Sequence, residues 1–217
     1  MIWSHPHPEM LIDHVAAPRG GIQDLLIDIH ADLCPECRRQ LNWLTRLGGL
    51  ALERAGAIPV SPGLAATVSG RLDDAVQSPP SRAPAHGALP PSLVAFLGDD
   101  AEGIRWRRLL PGVRRHVIGE ADGWRAELLR IEPGRRVPRH THVGGEVTLV
   151  LLGGFHDGIA HYGPGDICFA DASIRHQPVA DRSGVCICFT MSKAPPYFTG
   201  TFSRLLNLFA GGRGREQ

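Results

Sequence analysis

His30-Ala31-Asp32-Leu33-Cys34-Pro35-Glu36-Cys37 spells H-x3-C-x2-C, and the first third of the chain is arranged around it. Upstream, Ile22, Leu25, Leu26 and Ile29 recur at the i, i+3, i+4, i+7 spacing of one helical face, so a helix is expected over 22–32 with His30 at its end. Pro35 suits the first position of a new helix, where its missing N–H costs no hydrogen bond. That helix carries Leu41, Leu44, Leu47 and Leu50 toward Gly56. One ion can then touch His30 and Cys34, and Cys37, about one turn further on, reaches the same point. Thiolates are favoured at a helix N-terminus by the positive end of the dipole. Two sulfurs and an imidazole suit Zn²⁺, which takes four ligands in structural sites. Ser4-His5-Pro6-His7-Pro8 offers His5 and His7 for the fourth position. The plainer reading is a reduced, buried cysteine pair beside a chance histidine; the C-x2-C spacing favours the metal.

Pro8-Glu9 starts an earlier helix, with Met10, Leu11, His14 and Val15 on one face, and Pro18-Arg19-Gly20-Gly21 ends it. The three apolar stripes are expected to pack chiefly on one another. Three helices of this size make a small core, which a metal clip would reinforce. A fourth helix is expected around Leu64–Val76, with an apolar face available to a partner. Residues 78–91 contain five prolines among Ser, Ala and Gly and read as a semi-extended linker. From Ser92 onward the pattern changes to short β runs: Arg114–Ile118, Arg125–Ile131, Thr148–Leu152 and Cys186–Met191. Pro133-Gly134, Gly153-Gly154, Asp157-Gly158 and Gly163-Pro164-Gly165 mark turns. Regular short strands imply a barrel or jelly-roll. A last helix is expected over Thr201–Phe209. The expectation is a two-domain α+β chain: a helical zinc-binding unit at 1–77, a linker at 78–91 and a β-barrel at 92–217.

The 217 residues, 43% hydrophobic and 21% charged, suffice for two cores. A net charge of +1 and the lack of a basic stripe argue against direct nucleic-acid or membrane-surface binding. Residues 1–75 hold nine Asp/Glu against six Arg, so the first part is the acidic one. Five cysteines, two of them in C-x2-C, point to a reducing compartment and metal binding rather than a disulfide framework. The N-terminus has no basic-then-apolar signal pattern, and no stretch approaches the roughly 18 apolar residues of a membrane span. A cytoplasmic protein is expected.

A second constellation lies beyond the linker. Gly134-x5-His140-x-His142-x3-Glu146-x6-Gly153 places two histidines on the same face of a strand, then a carboxylate after the Gly144-Gly145 bend. It matches the first cupin motif at every signature position. Gly165-x5-Asp171-x-Ser173-x2-His176 resembles the second cupin motif, with departures. Asp171 stands where the cupins usually have proline, Ser173 where they have glycine, and Ala180 where they have asparagine. The resemblance makes His140, His142, Glu146 and His176 the ligands of Zn²⁺ or another divalent ion, Fe²⁺, Mn²⁺ and Ni²⁺ included. His86, His116, His156 and His161 are read as surface or loop residues. Cys168, Cys186 and Cys188 are read as small core residues on strands, the last two being poorly placed for a disulfide.

The first part resembles the zinc-binding anti-sigma domain, and its union with a cupin is similar to the ChrR family of anti-sigma factors. That resemblance implies His30, Cys34 and Cys37 as zinc ligands. It also favours His5 over His7, since His5 lies as far before His30 as the family's own histidine does. It implies an extracytoplasmic-function sigma factor as partner, bound by the N-terminal domain, and a cupin domain that takes part in the response to singlet oxygen or related oxidants. The competing reading is a metal-dependent cupin enzyme, a dioxygenase or isomerase, with an accessory zinc domain. Aromatic residues at only 6% and the lack of an acid/base pair beside the ligands weigh against it.

Overall fold

The computed structural model describes residues 2–72, 89–98 and 103–199. Helices α1 (Pro8–Ala16), α2 (Ile22–Leu33), α3 (Pro35–Arg54) and α4 (Leu64–Leu72) form where the apolar periodicity places them. Residues 73–88, which hold most of the expected linker, lie outside the described residues, as do His86 and the helix expected over 201–209. After α5 (Pro91–Leu97) the chain turns to β structure. Among the described residues no helix is long and apolar enough to cross a membrane.

The principal sheet joins, in the order β1-β2-β3-β10-β5-β8, the strands Arg107–Leu110 (β1), Val113–Ala121 (β2), Trp124–Ile131 (β3), Cys186–Ser192 (β10), Glu146–Leu152 (β5) and Ile167–Ala170 (β8). Its pairings are antiparallel. A second sheet has the order β7-β6-β9: His161–Tyr162 (β7), Phe155–His156 (β6) and Val179–Ala180 (β9). It closes on the first through Phe155 and Ala180, which pack with Val113, Ile131, Val150, Cys168, Cys186 and Cys188. His140–Thr141 (β4) pairs with Tyr197–Phe198 (β11) at the barrel mouth. This is the α+β architecture expected from the sequence.

The helices do not keep their apolar faces to themselves. The α2 stripe Ile22, Leu25, Leu26 and Ile29 packs on Leu93 of α5 and on Ala126, Leu128, Leu149, Phe189 and Met191 of the principal sheet. Ile27, on another side of α2, joins Leu11, Cys34 and Cys37, with Leu41 and Leu44 of α3 against them. A helix that buries two faces must be apolar over most of its circumference, as α2 is. Each of Leu25, Leu26 and Ile29 contributes on the order of 1.5–3 kcal/mol by leaving water. Polar contacts follow the same seam: the Asp32 carboxylate at the end of α2 accepts Ser92 N–H of α5 at 2.7 Å. On the other side, His14 of α1 sits between Asp24 and Asp28 of α2, 3.1 Å from each.

Helix α3 differs from expectation in its second half. Leu41 and Leu44 are packed, but Trp43, Leu47, Leu50 and Leu52 are exposed, Trp43 at 62%. Its stripe runs on past the two helices it leans against.

Candidate metal centres

The first cluster forms where α2 hands over to α3. Cys34 is both the C-cap of α2, its N–H bonding His30 C=O at 2.7 Å, and the N-cap of α3, its sulfur accepting Cys37 N–H at 3.5 Å. Pro35 takes the first helical position, as its fixed φ and missing donor predict. One tight corner therefore turns His30, Cys34 and Cys37 inward, all buried. His5 completes the group from the segment before α1: its Nδ1 lies 3.5 Å from Cys34 Sγ and 3.4 Å from Cys37 Sγ. The four ligand atoms all fall within 4.8 Å of one another. His7 stands elsewhere, against Phe169 at 4.7 Å between ring centroids.

The chemistry of this group fits a cation. Both His30 ring nitrogens are buried, with no more than a loose approach to the Gly165 backbone, a costly deficit that a bound ion would relieve. Burial, and the neighbouring His5, push His30 down to about 4, so it is neutral and its lone pair is available. Burial and the adjacent Cys34 push the Cys37 thiol up to about 12. Without an ion the Cys37 thiol keeps its proton; a soft divalent cation would displace it and supply the missing positive charge.

The second cluster lies inside the barrel. His140 opens β4 and is hydrogen-bonded through both backbone groups to His176, each at 3.1 Å, which holds the two residues side by side. His142 follows two residues on, and Gly144 and Gly145, with φ of +89° and +95°, turn the chain so that Glu146 begins β5 facing the same point. Only glycine adopts such angles freely. His176 Nε2 stands 3.0 Å from His142 Nε2 and 3.1 Å from His140 Nε2. Nitrogens converge this closely when they share one cation at metal–nitrogen bonds of about 2.0–2.1 Å.

Their orientation is fixed from behind. His140 Nδ1 is 2.7 Å from Pro138 C=O, and a carbonyl only accepts, so Nδ1 carries the proton and Nε2 is free to ligate. His176 Nδ1 faces the buried Asp157 carboxylate at 3.6 Å. Thr148 O–H donates to Glu146 at 3.1 Å. Burial lowers His140 to about 4 and His142 to about 3, and raises Glu146 to about 7. Three neutral imidazoles and one carboxylate converge here, and His140, Glu146 and His176 line a cavity of about 1350 Å³ with Arg115, Glu127, Thr190 and Phe198. An ion held here would act as a Lewis acid and would lock strands β4 and β5 and the His176 loop together.

Two features escaped the sequence reading. Asp157, read only as half of a turn, is buried behind His176 and lies with Cys168 and His176 inside 4.8 Å. Its backbone role is visible as well: Oδ1 accepts the N–H groups of Ile159 and Ala160, each at 2.9 Å. The second is the segment carrying His5, which runs along β8 of the barrel. Among the described residues, the remaining histidines and thiols stand outside both clusters. His156 and His161 are exposed, the latter 2.9 Å from Asp181, and His116 is half-buried on β2. Cys186 and Cys188 are buried with sulfurs 3.5 Å apart.

Residues 98–195 match the family model described as the ChrR cupin-like domain. Over 205 residues, covering 94% of this chain and 96% of the relative, the sequence is 35% identical to the anti-sigma-E factor ChrR of Cereibacter sphaeroides. The fold superposes with a TM-score of 0.73 on a chain in the crystal structure of Rhodobacter sphaeroides SigE in complex with the anti-sigma ChrR. That match is 35% identical and covers 88% of this chain and 99% of the other. Across both clusters and nearly its whole length, then, the chain belongs to the ChrR family of anti-sigma factors.

Proposed function

We propose that residues 1–77 bind and inhibit an extracytoplasmic-function sigma factor, and that residues 92–217 sense an oxidant of the singlet-oxygen class and release it. The helical cluster His5, His30, Cys34 and Cys37 holds a structural zinc. The barrel cluster His140, His142, Glu146 and His176 holds zinc or another divalent ion and forms part of the sensor. The observation that carries the partner reading is the uncovered apolar surface of the helices. Pro8, Leu11, Ile12, Trp43 and Leu44 line a groove between α1 and α3, and Leu47 and Leu50 extend it. A contiguous apolar groove of this kind marks a protein interface, and aromatic anchors dominate such interfaces. The relative crystallised with SigE supports the choice of partner. Imidazoles react with singlet oxygen, and loss of one ligand would loosen strands that the ion ties together. The altered barrel then acts on the helices through the core they share.

A sigma-dependent reporter, read with and without photosensitiser and light, tests both halves. Trp43→Glu is expected to abolish repression in the dark. Glu146→Ala and His176→Ala are expected to repress in the dark and respond poorly in the light. Full induction in both barrel variants would place the sensor elsewhere, and full repression by Trp43→Glu would place the interface elsewhere.

A further inference from the structure

His5 has no secondary structure of its own to hold it. His30, Cys34 and Cys37 are fixed by two helices and are buried, whereas His5 is exposed on an extended segment and precedes Pro6, which keeps it out of a helix. Its position is set from the barrel side. Ser4 C=O accepts Ile167 N–H of β8 at 3.1 Å, and Ser4 O–H donates back to Ile167 C=O. The N–H groups of Trp3 and Ser4 both donate to Asp166 Oδ1, at 2.6 and 3.0 Å. Asp166 is only 4% exposed, and its second oxygen accepts Gly163 N–H at 2.9 Å, so the β7–β8 turn fixes the carboxylate. Ile2 lies over Gly165, where φ is +91° and a Cβ would collide with the Ile2 side chain; Leu33 at the end of α2 closes the other side.

We propose that Asp166 is a positioning residue for His5. Its buried carboxylate latches residues 2–4 to β8, and the helical metal centre is complete only while that latch is shut. The inference rests on the reading of His5, His30, Cys34 and Cys37 as a metal site. It gives the two centres a physical link. β8 carries the latch at its N-terminal end and, two residues on, Cys168, which lies within 4.8 Å of Asp157 and His176. A shift of β8 caused at the barrel centre moves the backbone that holds His5.

The test uses the full chain loaded with Co²⁺, whose thiolate charge-transfer band, read against Cys34→Ser/Cys37→Ser as the blank, reports Cys34 and Cys37. Ser4→Pro removes the Ser4 N–H and O–H donors and leaves the barrel residues untouched; Asp166→Ala removes the latch from the other side. Each is expected to weaken metal binding at the thiolate site at least 10-fold in chelator competition, the usual cost of losing a positioning partner. The double variant should lose no more than the weaker-binding single, because both cut one latch. His5→Ala sets the ceiling. Unchanged affinity in Ser4→Pro, with His5→Ala impaired, would overturn the latch, and this holds even where Asp166→Ala fails to fold. A wild-type chain without a thiolate band would overturn the metal reading itself, and the latch with it.

Discussion

The two clusters solve the same problem in opposite ways. In the barrel, His140, His142, Glu146 and His176 come from strands and strand ends that hydrogen-bond one another, and Pro138, Thr148 and Asp157 orient three of them from behind. Between α2 and α3, three ligands come from one corner and the fourth from a distant extended segment. Backbone pairing and the groups behind the rings arrange most of the barrel ligands. The helical residues are arranged for an ion that must hold them. In the first case the fold builds the site; in the second a bound metal would help build the fold.

The sharpest way to break this contrast is to remove ligands from each side. Cys34→Ser/Cys37→Ser is expected to lose one equivalent of metal, to melt far below wild type and to lose repression. His140→Ala/His142→Ala is expected to lose the other equivalent and to melt with a smaller drop. Metal analysis paired with thermal denaturation decides it, and a larger drop for the barrel pair would reverse the contrast.

A smaller effect tests the orienting groups. Asp157→Asn keeps the side chain's shape but weakens the acceptor facing His176 Nδ1. Barrel metal affinity is expected to fall 10- to 100-fold while the thiolate site keeps its own affinity. An unchanged barrel affinity would mean that Asp157 serves the turn at Ile159 and Ala160 alone.

A further test concerns protons in the metal-stripped chain. His30, His140 and His142 are held neutral, at about 4, 4 and 3, against an ordinary value near 6.5. Below 6.5 the unfolded chain binds protons that the folded chain refuses. Stability is thus expected to fall as pH drops from about 6.5 toward 4, by on the order of 1 kcal/mol per histidine per pH unit. Glu146, raised to about 7, works in the other direction: the folded chain holds its proton more tightly, so its contribution is lost as pH rises from about 4.5 to 7. Urea denaturation at pH 7 and pH 5 measures the balance, which three histidines against one carboxyl set in favour of pH 7. Equal stability at the two pH values would show that the metal-free clusters open to water.

Local spacing made most of this legible. H-x3-C-x2-C and the helical periods located the corner between α2 and α3, because one turn of helix decides whether two side chains meet. The Gly144-Gly145 bend was equally readable, since the needed φ values belong to glycine. The shared core was not. The stripe at Ile22, Leu25, Leu26 and Ile29 reveals that a face is buried, not that it lies on Leu128 and Phe189 rather than on a neighbouring helix. The same holds for Asp166, which sits more than 160 residues from the segment it holds. No periodicity relates such distant positions.

The free half of α3 has a consequence for turnover. Trp43, Leu47, Leu50 and Leu52 face water on the unbound chain, and Gly48 and Gly49 weaken the helix between them. Such a helix opens readily, and proteases cut what opens. A bound partner that covers it stabilises the chain by mass action. A chain without its partner is thus expected to be cut faster at α3 than one whose α3 is covered.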